Sequence, residues 1–93
     1  MDKMIRKRDR LEVIHDFLKI IQANHNSIKM TPLLRQINLS SQSFNEYFNE
    51  LIKKQLIKEI YDDNKKYITL TDKGFKFIEK YKLILGFIGE FEL

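Results

Sequence analysis

Residues 55–64 read QLIKEIYDDN and residues 65–74 read KKYITLTDKG. Leu56 to Tyr61 and Tyr67 to Thr71 are rich in β-branched and aromatic side chains, the composition of short strands. Between them lies a polar turn, Asp62-Asp63-Asn64-Lys65, of the residue types that initiate turns through local side-chain hydrogen bonds. The pattern predicts a small hairpin with Lys65 and Lys66 at its tip. A helix is expected to begin at once near Asp72.

Upstream, Thr31 followed by Pro32 predicts a helix start, with Thr31 as N-cap and Pro32 at N1. That helix runs to about Ile37 with Leu33, Leu34 and Ile37 inward. Asn38-Leu39-Ser40 breaks the chain. Ser40 is then placed to cap a second helix by accepting an orphan amide proton of its first turn. Phe44, Phe48, Leu51 and Ile52 form the buried stripe of this second helix, with Tyr47 at the edge. Its other face carries Ser41, Gln42, Asn45, Glu46, Asn49 and Lys53. Earlier still, Asp9 with Glu12 resembles a capping box. Leu11, Ile14, Phe17, Leu18 and Ile21 then recur at helical spacing, giving a helix from about Asp9 to Ala23. Asn24 to Ser27 reads as a loop and Ile28-Lys29-Met30 as a short strand. In the closing helix, Phe77, Tyr81, Ile84, Ile88 and Phe91 are spaced 4, 3, 4, 3, a heptad seam. Phe75, Ile78 and Leu85 widen its apolar face, and Gly86 and Gly89 weaken the helix by ~1 kcal/mol each relative to Ala.

The chain has 93 residues, enough for one domain with a single modest core. Seven Phe, four Tyr and 43% hydrophobic residues exclude disorder by composition. No apolar run approaches the ~20 residues of a membrane span. None follows MDKMIRKRDR, so no secretory signal is expected. The chain has no cysteine, which excludes disulfides and thiolate metal sites and fits a reducing cytoplasm. His15 and His25 have no third ligand at metal spacing, and Asp62-Asp63 is more simply turn chemistry than an acid–base pair. There is no Gly-rich phosphate loop and no nucleophile motif. No enzyme activity, cofactor, metal or small-molecule effector is expected. A net charge of +4 with pI ≈ 9.3 suits a polyanion partner.

Taken in order, two helices across a tight break, a hairpin and a further helix make a winged helix-turn-helix. The fold class is mostly α with a small β-hairpin wing and a long C-terminal dimerisation helix. One domain spans 1–93, with the helix-turn-helix at 31–55, the wing at 56–71 and the last helix at 72–92. A recognition helix needs short polar side chains near its start to reach base edges in the major groove. Ser41, Gln42, Ser43 and Asn45 meet that need, and Ser40, Asn49 and Lys53 are further candidate DNA contacts on the same helix. Lys65 and Lys66 suit phosphate or minor-groove contact from the wing. Arg6, Arg8 and Arg10, with Lys3 and Lys7, form the densest basic run and suit backbone phosphates. Phe77, Tyr81, Ile84, Leu85, Ile88 and Phe91 are the candidate dimer seam. The partners expected are double-stranded DNA and a second copy of the chain, in the cytoplasm at the nucleoid and not at a membrane. The competing reading is a winged-helix module that binds protein and not DNA, which Glu46 and Glu50 on the exposed helix favour.

RDRLEVIHDFL (8–18), NLS (38–40), NEYFNELIKKQLI (45–57) and YITLTDKGFKFIEKY (67–81) together resemble the small archaeal winged-helix DNA-binding proteins. These are predicted transcriptional regulators and include the ten-kilodalton chromatin proteins that dimerise through an antiparallel coiled coil. The resemblance covers about Arg8 to Ile84. It implies DNA contact along Ser40 to Asn49 and near Lys65 and Lys66, and dimerisation from Asp72 onward. The family often has Thr-Arg where this chain has Thr31-Pro32, which removes one phosphate contact. It often has Gly at Gln55, so a less sharp turn into the wing is expected.

Overall fold

The computed structural model describes residues 9–92. Four helices and one hairpin follow in the order α1 (Arg10–Ala23), α2 (Met30–Ile37), α3 (Ser41–Lys53), β1 (Ile57–Asp62), β2 (Lys65–Leu70) and α4 (Asp72–Phe91). The architecture is a winged helix-turn-helix with a long C-terminal helix.

The start of α1 is a full capping box. The Asp9 carboxylate accepts from the Glu12 amide at 2.8 Å, and Glu12 Oε1 accepts from the Asp9 amide at 3.1 Å. These bonds satisfy amide groups that the first turn leaves without helical partners. The helix buries Val13, Ile14, Phe17, Leu18 and Ile21. His25 and Asn26, both left-handed, turn the chain. The expected strand at 28–30 is a single bridge, in which Ile28 and Ile68 exchange backbone hydrogen bonds at 3.1 and 2.7 Å.

The strand stops there because α2 begins at Met30, earlier than Thr31-Pro32 implies. The N-cap is Lys29 without a side-chain cap, and Pro32 falls at the third helical position. Proline is tolerated there because the amides of the first turn have no helical acceptor anyway. Leu33, the next residue, makes the first helical bond, to the Lys29 carbonyl at 3.2 Å. Asn38 ends α2 in the left-handed region (φ 59°), a conformation Asn tolerates better than most residues. Two residues later the Ser40 hydroxyl accepts the Ser43 amide at 3.1 Å and α3 begins.

Gln55 also takes a left-handed φ of 62°, so the chain turns into the wing without glycine. The hairpin pairs Ile57 with Leu70 through Asp62 with Lys65. Its turn is shorter than expected. Only Asp63 and Asn64 lie between the strands, both with positive φ (55° and 64°), the requirement of a two-residue type I′ turn. Lys65 and Lys66 are therefore strand residues of β2.

The core is one cluster in which Phe17, Leu18, Ile21, Leu33, Ile37, Leu51, Ile57 and Ile68 are fully buried. Phe44 sits 5.3 Å from Phe17 and 5.8 Å from Phe48 between ring centroids, which anchors α3 by its inner face. At the start of α4, Thr71 Oγ1 accepts the Gly74 amide at 3.0 Å and donates to the Gln55 carbonyl at 2.6 Å. The cap thus also ties α4 to the end of α3. Gly86 and Gly89 do not end α4, which continues to Phe91. Among the described residues, no helix is long and apolar enough to cross a membrane.

Candidate nucleic-acid interface

Anchoring α3 by Phe44, Phe48 and Leu51 turns its opposite face outward. Ser41, Gln42, Asn45, Glu46, Asn49 and Lys53 are all exposed on it. Gln42 Nε2 reaches Glu46 Oε2 at 3.5 Å, a long contact that leaves the amide available. Ser40 and Ser43 differ from their neighbours. The Ser40 hydroxyl is occupied as cap, and Ser43 is half-buried. Four amide and hydroxyl side chains, Ser41, Gln42, Asn45 and Asn49, thus project freely from the first three turns, with Lys53 in the last.

Glu50 lies at the flank of this outer face and is not a free charge. Arg10, the first residue of α1, forks onto it, with Nη1 donating to Oε1 at 2.8 Å and Nη2 to Oε2. Lys54 Nζ adds a third contact at 3.2 Å. The Arg10 hydrogen bond, helped by Lys54, holds the pKa of the Glu50 carboxyl at about 2, and Glu50 in turn raises that of the Arg10 guanidinium. Arg10, a candidate DNA contact, is therefore engaged within the fold. Arg6 and Arg8, with Lys3 and Lys7, lie outside the described residues.

In the wing, Lys66 pairs with Glu59 at 3.4 Å, and Lys65 stands opposite Asp62 in the ladder. The turn itself is Asp63-Asn64. Tyr61, which carries no functional signal in the sequence pattern, is 70% exposed on β1.

The candidate dimer residues divide into two groups. Phe77 packs on the core, and the Tyr81 ring stacks on His15 of α1 with centroids 4.4 Å apart. Both pack against the body of the same chain. Ile84, Leu85, Ile88 and Phe91 are exposed, and so are Leu83 and Phe87, which the 4, 3, 4, 3 seam does not include. The signal for Leu83 is the run Leu83-Ile84-Leu85, since three consecutive apolar residues at ~100° each cannot share one face, and Phe87 follows Leu83 at i,i+4. Phe87 and Phe91 stack at 4.8 Å. His15 has a further peculiarity. Its Nε2 is buried without a hydrogen-bond partner among the described residues, and burial, with Lys19 and Lys82 adding to it and Asp16 opposing, lowers its pKa.

A family profile described as winged helix-turn-helix matches residues 7–87. The chain belongs to the winged helix-turn-helix family. Solved structures carry the same fold. Sso10a-2, a DNA-binding protein from Sulfolobus solfataricus, superposes with a TM-score of 0.73 at 14% identity, over 91% of this chain and 86% of that one. F93 from STIV, a winged-helix DNA-binding protein, gives 0.70 at 21% identity over 85% and 91%. SSV1 F-93 gives 0.64 at 19% identity over 91% and 99%. No curated protein matches the sequence. At these identities the winged-helix likeness is one of fold.

Proposed function

We propose that this winged-helix chain binds double-stranded DNA as a homodimer, in the cytoplasm at the nucleoid, as a transcriptional regulator or nucleoid-associated protein. The observation that carries the reading is the outer face of α3. Its free amide and hydroxyl side chains, Ser41, Gln42, Asn45 and Asn49, match the donor and acceptor edges of bases in the major groove. Two of the structurally similar proteins are described as DNA-binding, which supports the same reading here. Binding is not catalysis. Phosphate contacts supply affinity, and the α3 amides supply any sequence preference.

The dimer is inferred from the second half of α4. Leu83, Ile84, Leu85, Phe87, Ile88 and Phe91 all face solvent in the isolated chain, an apolar surface of the kind that marks an interaction site. Burying each such side chain is worth ~1.5–3 kcal/mol, which offsets the entropy lost on association. The competing reading, a protein-binding module, drew on Glu46 and Glu50. With Glu50 clamped by Arg10 and Lys54, Glu46 is the one carboxylate on α3 without a cationic partner among the described residues.

The test is fluorescence anisotropy of a random duplex against salt. Binding should weaken steeply, with ~0.9 of log–log slope for each phosphate neutralised. Folded protein that fails to bind at ~50 mM salt and at tens of micromolar, where nonspecific DNA binding is ordinarily seen, overturns the DNA reading. Sedimentation at ~100 μM tests the dimer, and a mass near that of the single 11.3 kDa chain refutes it.

A further inference from the structure

Several exposed cations are already neutralised inside the fold. Arg10 and Lys54 both lie on Glu50, and Lys66 lies on Glu59. From Lys58 to Lys66 the wing holds Lys58, Lys65 and Lys66 against Glu59, Asp62 and Asp63. It therefore carries no net charge, and an electroneutral hairpin releases few counterions from DNA.

The end of α3 and the first half of α4 are different. Lys73 Nζ donates to the Lys54 carbonyl at 2.8 Å, which brings the first turn of α4 against the last turn of the recognition helix. Lys76 and Lys80 follow Lys73 by three and seven residues, so the three share one face of α4. Neither Lys76 nor Lys80, nor Lys53 at the end of α3, makes an ion pair among the described residues. All three are exposed. Residues 72–82, DKGFKFIEKYK, hold four lysines against Asp72 and Glu79. Lys76 to Lys80 spans ~6 Å of helix rise, close to two of the ~3.4 Å axial rises that separate the phosphates of one strand along the duplex axis. Of the other cations without an ion pair among the described residues, Lys19 of α1 and Lys82 of α4 both lie near His15, at the α1 side of α4. Lys29 sits over the Tyr67 ring at 5.8 Å, and Arg35 at the end of α2 has no basic neighbour at helical spacing.

We propose that Lys53, Lys76 and Lys80 form a phosphate track, so that the duplex backbone runs from the recognition helix onto the first half of α4 while the wing contributes no electrostatic grip. This rests on the DNA-binding reading above. It adds a surface beyond α3, and it names the backbone of the same duplex as the ligand.

Two double variants with equal charge change decide it, Lys76→Gln with Lys80→Gln, and Lys58→Gln with Lys65→Gln on the wing. All four side chains are exposed, and unchanged circular dichroism and melting confirm that each variant folds. On random duplex the α4 pair should flatten the log–log salt slope by about 1.8, that is ~0.9 for each phosphate no longer neutralised. The wing pair should leave the slope unchanged. Lys53→Gln alone should flatten it by about 0.9. Equal slope changes from the two pairs, or a larger change from the wing pair, overturn the track while leaving DNA binding intact. Absence of binding by the unmutated protein overturns both.

Discussion

Gly74, in the first turn of α4, and Gly86, in its interior, are both helical glycines, yet replacing each with alanine should move stability in opposite directions. In an exposed helix interior, Gly→Ala is worth ~1 kcal/mol in favour of alanine. Gly86 has nothing within 4 Å of the position its Cβ would take, so Gly86→Ala should stabilise the helix by up to that amount. At Gly74 the added Cβ would stand well inside 3.0 Å of the Leu56 carbonyl oxygen and 3.4 Å from Leu70 Cδ2. The first is a backbone atom at the junction of α3 and β1, and it already accepts the Thr71 amide at 3.2 Å. Relieving the clash means moving α4 away from the wing and stretching that bond. Overpacking costs ~1–3 kcal/mol and breaking the hydrogen bond ~1 kcal/mol, against the ~1 kcal/mol gained in helix propensity. The net is a loss of about 2 kcal/mol, or a fall of roughly 8–16 °C in Tm for a domain this small. Thermal and urea denaturation at one fixed protein concentration measure both variants. If Gly74→Ala is as stable as the unmutated chain, the close approach of α4 to Leu56 is wrong, and with it the angle at which α4 leaves the recognition helix.

Three further outcomes are expected. Gln42→Ala should cost ~1–3 kcal/mol at a preferred DNA site and little on random duplex, and equal losses on both in paired titrations would show that the side chain carries no sequence information. Ile84→Asp with Ile88→Asp should give a monomer by sedimentation with much weaker DNA binding, because the linkage of two sites is removed, whereas a dimer that persists would move the interface off α4. His15 is held below its ordinary pKa of 6.5 by burial against Tyr81, so its neutral form is favoured in the folded state. Its contribution is full above pH 6.5 and is lost as pH falls through the lowered folded value. Urea midpoints should therefore drop on acidification below about pH 6.5, and His15→Phe, which keeps a ring on Tyr81, should remove that part of the drop.

What the sequence discloses and what it hides divide by distance along the chain. Ser40, Thr71 and the Asp9–Glu12 pair are legible because a cap is a bond between residues three apart. The inner stripe Phe44, Phe48, Leu51 is legible because it follows helical period. Pro32 misleads by two residues, since any position in a first turn accommodates it. Lys65 reads as a turn residue because a polar run of four conceals that only Asp63 and Asn64 adopt left-handed backbone. The ion pairs that decide which cations are free are longer in range. Arg10 and Glu50 are forty residues apart in sequence, and Glu59 meets Lys66 only because of the strand register. The five-residue seam of α4 splits for the same reason. Periodicity puts Tyr81 and Ile88 on one face, but only the docking of α1 shows that the first is already occupied by His15.

These pairings bear on how tightly one protomer can hold DNA. With Arg10 on Glu50 and Lys66 on Glu59, two cations that look available in sequence are committed to the fold, and Lys54 makes the i,i+4 pair with Glu50 that its spacing offers. The reading side of α3 keeps one carboxylate, Glu46, against one lysine, Lys53. Base contacts from Gln42, Asn45 and Asn49 can discriminate, but amides release no counterions and add little electrostatic affinity. A protomer built this way must draw affinity from outside the helix-turn-helix, and α4 offers two sources under the proposed reading. Its lysine row adds phosphate contacts, and its apolar second half joins two protomers. A linked second site multiplies two modest affinities through effective concentration. One helix then has two jobs along its length, basic where it leaves the recognition helix and apolar where it leaves the body. Under the proposed reading, that division accounts for the placement of four α4 lysines before Leu83 and none after it.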